Sequence, residues 1–527
     1  MRLEPVNLLG GFNRDDSYAW SVQDVCNWLP TAADQTGTRT QFKLRTPPGL
    51  KPMQSVGVGP IRGIHNCEGR LFVVSGQMLY EIRANGDAVS RGTVPGVSRV
   101  RMAHNQIKNG NQLAIANGQS GYIYNTATLA FTRITDEGFP GAIDVAFIDG
   151  YLFWIEPFGR FWLHSDLADG LSYNTLDRGE AEAQPDRIVG TAVSQGEVVV
   201  FGERTIDFFY NTGGATGTFQ SKGNTCDVGC ASLHTIQNLD NSVMWLGNDG
   251  VIYRLDGYRA VPISTRAVEK TIAAYDWKNA FAFTWEDQGH KVYYITFPDG
   301  ETFGYDVVVG MWHRRESLGF KRWRLNGCVS WGRKWVTTDF QNGQLWTLDW
   351  DYYLEGDKEF VSELTTGILH DNGNPISINE LELKFHTGGV PTVPEYSEPT
   401  ALLTTPPYPA FSQSRVAVAF AAITGALRSL FQAGASADSI TTAFTAIGGS
   451  LRDLFQVGRS EDDVTLAFLP IGGSLRDLII PWRADPDYVE VGFLPQSGVM
   501  TSPLVPGRVE SNQLSVGFAP TGGSLSV

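Results

Sequence analysis

Leu71-Phe72-Val73-Val74, a turn at Gly76, then Leu79-Tyr80-Glu81-Ile82: a β-prone apolar run, a glycine and a second run with an aromatic residue. The phrase recurs seven times between residues 66 and 356. The later copies turn at Gly118, Gly159, Gly202, Gly250, Gly300 and Gly343, at intervals of 42, 41, 43, 48, 50 and 43 residues. A period near 45 with a strand pair in every unit reads as a β-propeller blade. One hairpin cannot bury its own apolar face, whereas a ring of stacked blades buries both faces and leaves few open edges. The glycines are expected to supply the positive φ of tight hairpin turns. A β-sandwich array or several unrelated β-domains is the competing architecture.

The rest of the chain is arranged around this repeat. At 527 residues it exceeds one core and should hold two or three domains. Residues 1–60 form an extended N-terminal platform segment, with Pro47, Pro48, Pro52 and Pro60 holding Thr46–Pro60 extended. The propeller is placed at residues 61–358, with about seven blades, or six to eight if the termini lend a strand. Within it, Thr265 caps a helix starting at Arg266. Residues 359–388 supply closing strands of the platform, with Ile376–Phe385 as one of them. A Pro-rich linker covers 389–412. Residues 413–527 repeat again, with Phe420, Phe444, Phe468, Phe493 and Phe518 each followed five residues later by glycine. Strand, Gly-Gly turn, strand reads there as a C-terminal module of β-hairpin repeats. The fold class is therefore all-β.

Chemistry is mostly absent from the pattern. No phosphate loop, G-x-S-x-G or H-E-x-x-H occurs, and no Ser-x-Asp-x-Gly box of the sialidase propellers. Asp249-Gly250 and Asp299-Gly300 read as turn dipeptides rather than catalytic acids. His313 is expected on a blade edge. Lys321-Arg322-Trp323-Arg324 is expected at a solvated strand end or subunit contact rather than on nucleic acid. Cys226-x3-Cys230 is the closest cysteine pair, without a neighbouring His or Cys to complete a zinc site, so the five cysteines read as free thiols. The reading names no catalytic, cofactor-binding or metal-binding residue, expects no cofactor and is not an enzyme. The net charge of −15 argues against a surface that grips DNA. Met1–Pro5 does not read as a signal peptide and no membrane anchor is expected.

Val6-Asn7-Leu8-Leu9-Gly10-Gly11-Phe12, Asn27-Trp28-Leu29-Pro30, Leu44-Arg45-Thr46-Pro47-Pro48-Gly49-Leu50 and Gly59-Pro60-Ile61-Arg62-Gly63-Ile64 resemble the packaged-DNA stabilisation proteins of short-tailed phages. So does Gly69–Gly76, and Glu380-Leu381-Glu382-Leu383 resembles that family's closing strand. The likeness covers roughly residues 5–390 and leaves out the Phe-Gly repeats. It implies a structural virion protein, the tail hub or nozzle, assembled in the host bacterial cytoplasm as a homohexamer with a propeller in each subunit. The ring would lie below the portal and the dodecameric tail adaptor, continue the exit channel for double-stranded DNA without binding it specifically, and help retain packaged DNA. Tail needle, spike or fibre proteins would be further partners. The competing function is a carbohydrate-binding or carbohydrate-cleaving propeller of a tail fibre or cell surface, which paired carboxylates in a central pocket would favour. A secreted adhesin is the third reading, disfavoured by the N-terminus.

Overall fold

In the computed structural model, residues 11–14, 22–33, 42–181, 186–214 and 217–366 are described, and beyond them the backbone of strands between 416 and 526. The chain divides into two compact bodies, Met1–His370 and Asp371–Val527.

The first body is a ring of antiparallel sheets. Six repeated units are separate four-stranded sheets. The first, for example, consists of Ile61–Cys67, Arg70–Ser75, Met78–Ile82 and Ala88–Thr93. The second starts at Arg101–His104, the third at Asp144–Ile148, the fourth at Ile188–Ser194, the fifth at Gln237–Leu239 and the seventh at Leu325–Trp331. The sixth unit departs from the pattern. Its four strands, Phe281–Asp287 to Met311–Arg315, continue into a seven-stranded sheet that takes in Asn13–Arg14, Val22–Cys26 and Glu363–Thr365. The blade count thus differs from seven like blades: six are four-stranded, and one has merged with the strands expected to form a platform. The cause is local. Arg314 binds Asp24, Asn27 N–H donates to Arg314 O at 3.0 Å, and Phe12 N–H donates to Trp312 O at 2.7 Å, so the N-terminal segment is laid along this edge.

Six of the seven glycines lie between the second and third strands of their units, and Gly202 is the last residue of the second strand of its unit. Their reasons differ. Gly76, Gly118 and Gly250 have positive φ, as expected. The others do not, and at Gly343 close approach decides, since a Cβ would sit 2.2 Å from Val56 O.

Burial explains the unbroken apolar runs. Gln112–Ala116 and Ser242–Leu246 are buried at every position because sheets cover both their faces. Successive side chains of one strand serve different neighbours. Leu152 and Trp154 pack toward Ala114 and Ile123 of the second unit. Phe153 and Ile155 pack toward Val198 and Val200 of the fourth. Clusters of this kind join every neighbouring pair, including the last to the first, where Val336 and Leu345 meet Ile61, Leu71 and Val73. The inner strands touch in the same cyclic order. Outer strands such as Ala88–Thr93 have no fully buried residue and place Ser90, Arg91 and Thr93 at the edge, which blunts it.

The ring closes with a strand from the N-terminal segment. Gly49–Ser55 is the fourth strand of the seventh unit, antiparallel to Gln344–Asp349. The propeller thus begins before residue 61, and the boundary at 60 is corrected. Pro52 is tolerated because this is an edge strand. Leu29–Ala32 and Phe42–Arg45 form a separate antiparallel pair. The helix is Arg266–Ile272, and the Thr265 hydroxyl accepts from Val268 N. Its buried side chains, Ala267, Val268 and Ile272, pack with Phe12 and Met244.

The second body corrects the hairpin reading. Its strands pair in parallel, each with its copy in the next repeat, so Phe420, Phe444, Phe468, Phe493 and Phe518 stand in register. A second parallel series joins Ala426–Gln432 to Ser450–Gln456 and onward. Gly472 and Gly473 lie inside one strand, Asp463–Ile480, rather than at a reversal. Repeats of 24 or 25 residues let each coil satisfy the backbone groups of the next, so pairing between repeats displaces pairing within one. Ile376–Phe385 and the Pro-rich linker lie outside the described residues.

Candidate functional site

Two polar constellations stand out against the apolar clusters: one fastens the terminal strands, the other surrounds the propeller axis.

At the sixth unit Arg314 is buried and surrounded by carboxylates. It donates to both oxygens of Asp24, at 2.8 and 2.8 Å, and to Glu301 at 2.8 Å. Arg14 adds bonds of 2.6 Å to Asp24 and 3.3 Å to Glu301. Burial works against the Arg314 charge, but the Asp24 bonds outweigh it and raise its pKa. Asn27, fully buried at φ +55, donates to Glu316 O at 3.1 Å and Val361 O at 2.7 Å and accepts from Glu316 N. The Asn27-Trp28-Leu29-Pro30 turn is therefore a staple for three chain segments. Leu29 enters the core beside Trp285 and Trp323.

The axis carries cations. Arg99 leads into the inner strand of the second unit. Its side chain reaches past the first unit to the sixth and seventh, almost opposite. The guanidinium lies 3.3 Å from the centroid of the Phe281 ring, donates to Asn326 O at 2.7 Å and also bonds Asn326 Oδ1. Asn326 Nδ2 in turn donates to Ile61 O at 2.6 Å. Arg322, leading into the seventh unit, stands 5.2 Å from the same ring. Arg101 pairs with Asp144 at 2.8 Å, and that carboxylate also accepts from Val145 N and Thr191 N. His65 and His104, on neighbouring inner strands, share a 2.8 Å hydrogen bond. Burial, then the charges of His104 and Arg101, pushes His65 down to about 3. Burial, then Arg99 and Arg101, holds His234 well below its usual value.

The sequence motifs land elsewhere. His313 lies in the outermost strand of the sixth unit, the expected blade edge, but it is fully buried against Tyr294, and burial lowers it to about 3. Lys321–Arg324 is neither a solvated strand end nor a nucleic-acid patch. Arg322 and Trp323 are buried, and Arg324 pairs with Asp339 at 2.7 Å over the Trp346 ring. Asp249 accepts from Val251 N and Tyr253 Oη within its own turn, and Asp299 accepts from Asp276 N of the preceding link. Cys226 and Cys230 are free and buried. Among the described residues no cluster of metal-ligating side chains occurs. Sequence reading missed Arg99 and Arg62. Arg62 donates to the carbonyls of Ser98, Gly76, Val94 and Pro95 and so fixes the link from which Arg99 projects. Arg62 gives no clear signal, since its strand Ile61–Cys67 mixes apolar residues with His65 and Asn66.

Comparison with known proteins gives a family match over residues 5–353, described as "Bacteriophage P22 Gp10, beta-propeller". A curated relative, "Tail hub protein gp10" of Salmonella phage P22, is 25% identical over 296 residues, which is 52% of this chain and 60% of the relative. The chain thus spans well under two thirds of that protein. Among solved structures, the computationally designed Ika8 protein aligns at TM-score 0.38 and 12% identity, covering 57% of this chain and 99% of its own. Virginiamycin B lyase from Staphylococcus aureus aligns at TM-score 0.40 and 8% identity, covering 56% and 97%. Neither structural likeness carries weight for activity.

Proposed function

The chain belongs to the bacteriophage P22 Gp10 β-propeller family, and on that premise we propose that it is a structural subunit of a short-tailed phage tail hub, one of six in a ring that continues the DNA exit channel and helps retain packaged DNA. The carrying observation is that the family match spans the ring-closing strand and every propeller unit through residue 353. The protein acts as a wall element rather than an enzyme. The axial residues support this: glycoside hydrolysis needs two carboxyl groups facing a substrate, whereas guanidiniums dominate here and Asp144 is held by Arg101.

Arg99 bridges the propeller opening, so a duplex does not thread a single propeller. The lumen is formed between subunits. Six copies carry roughly ninety excess negative charges, six times −15. Part of this excess faces the lumen and repels phosphate, so DNA slides without being held. Tail adaptor, needle, spike or fibre proteins contact the ring's ends, and the chain resides in the virion after assembly in the host cytoplasm. Electron microscopy of the purified assembly tests this reading: a six-fold ring with an acidic central lumen is expected, and a continuous Lys/Arg lining would overturn it.

A further inference from the structure

Among the described residues the axial cations are only partly matched by anions, Arg101 being the one that is paired with a carboxylate. Arg99 uses two of its guanidinium's five donors on Asn326. Among the described residues Arg322 donates only to the carbonyls of Trp323 and Leu325, at 3.2 and 3.4 Å, and stacks on Phe340 at 4.4 Å. Arg101 spends its Nε on Asp144. Asp339, the carboxylate that acts on Arg322, is itself paired with Arg324 and bonded by Trp346 Nε1. Around one aromatic ring, Phe281, two guanidiniums are thus partly desolvated together, with a third and His234 alongside. Removing like charges from water side by side is unfavourable unless a counter-charge joins them.

We propose that the axial cluster of Arg99, Arg101, Arg322 and His234 is a binding site for a phosphate-type oxyanion. The groups arrive from three directions: the second unit, the link into the fifth and the link into the seventh. That convergence suits a tetrahedral anion with acceptors on every side better than a planar carboxylate, and guanidiniums are the side chains matched to it. Neighbouring His65 and His104 stay neutral and let one accept from the other across a 2.8 Å bond, which adds no competing anion. The bound anion ties the second, fifth and seventh units across the axis and acts as an internal rivet. The inference stands apart from the tail reading, since it concerns one propeller alone.

Calorimetric titration at constant ionic strength tests it, with inorganic phosphate and a nucleoside triphosphate in separate arms and chloride as reference. Binding in either arm, weakened about ten- to a hundredfold by Arg99→Gln and unchanged by Lys51→Gln, is the expected result. The arm that binds more tightly identifies free phosphate or a nucleotide phosphoryl group as the source. No heat in either arm, or equal affinity in folded Arg99→Gln protein, overturns the proposal. Should Arg99→Gln fail to fold, crystals of the unaltered chain soaked in tungstate decide: an anomalous peak among Arg99, Arg101 and His234 supports the site, and its absence at saturating tungstate refutes it.

Discussion

Single residues in this molecule act mostly by closing an account that burial opens. Asp24 is the clearest case, because it answers both Arg314 and Arg14. Asp24→Ala leaves Arg314 buried with Glu301 and Glu316, and removing one partner of such a network costs about 3–5 kcal/mol. Urea unfolding of the variant should show that loss with an unchanged slope. A fall of under about 1 kcal/mol would mean the network is no stronger than a surface pair. His313 gives a pH signature. Its folded pKa, pushed down to about 3 by burial, lies below the ordinary 6.5. Above 6.5 both folded and unfolded states hold it neutral. As pH falls from 6.5 toward 3 only the unfolded chain takes the proton, so stability is lost. Each pH unit in that window costs about 1.4 kcal/mol from this group. A folded His313→Gln variant should have a shallower acid limb by one proton, read from stability against pH. An unchanged limb would show that His313 is charged in the folded protein.

At the scale of elements, strands were legible where their apolar runs were complete. The hairpins around Gly76 to Gly343 follow from runs such as Val198–Phe201, whose burial on both faces leaves no polar alternation to confuse the reading. The Thr265 helix was legible from its cap. Two features were not. Gly49–Ser55 reads as a proline-marked extended segment, and nothing local says that its partner lies almost 300 residues away at Gln344–Asp349. Lys321–Arg324 reads as charged and solvated because a sequence cannot show Asp339 and the rings that receive those cations. The Gly-Gly phrase was misread for a related reason: a turn signal is local, whereas the even repeat that selects parallel stacking is not. The closing strand carries a direct test. Removing residues 1–56 exposes the contacts of Leu50 and Val56, two fully buried side chains together worth about 3–6 kcal/mol. The truncated chain should melt well below the full chain, and a peptide of residues 47–57 should restore part of the loss. An unchanged melting temperature would show that the ring does not depend on this strand. Ending the chain near Thr405 should instead leave the propeller body folded and able to assemble. Loss of its fold would place the parallel repeats in the main core.

The whole chain carries a net charge of −15, whereas arginines stand around the propeller axis. The axis is bridged by Arg99 and the apolar clusters are complete around the ring, so a single propeller is a closed block whose axis is spanned by a side chain. A DNA conduit made from such blocks must come from their arrangement. An isolated ring should leave duplex DNA unbound at physiological salt, where screening reaches about 8 Å. Salt-sensitive retention of DNA on the ring would contradict an acidic lumen. The central claim is that the block is one of six. Native mass measurement of the purified full chain across a concentration series tests it most directly. A species of roughly 350 kDa, six times 57.8 kDa, growing with concentration, is the expected result. A 57.8 kDa monomer at every concentration, or a closed assembly of another order, would contradict it.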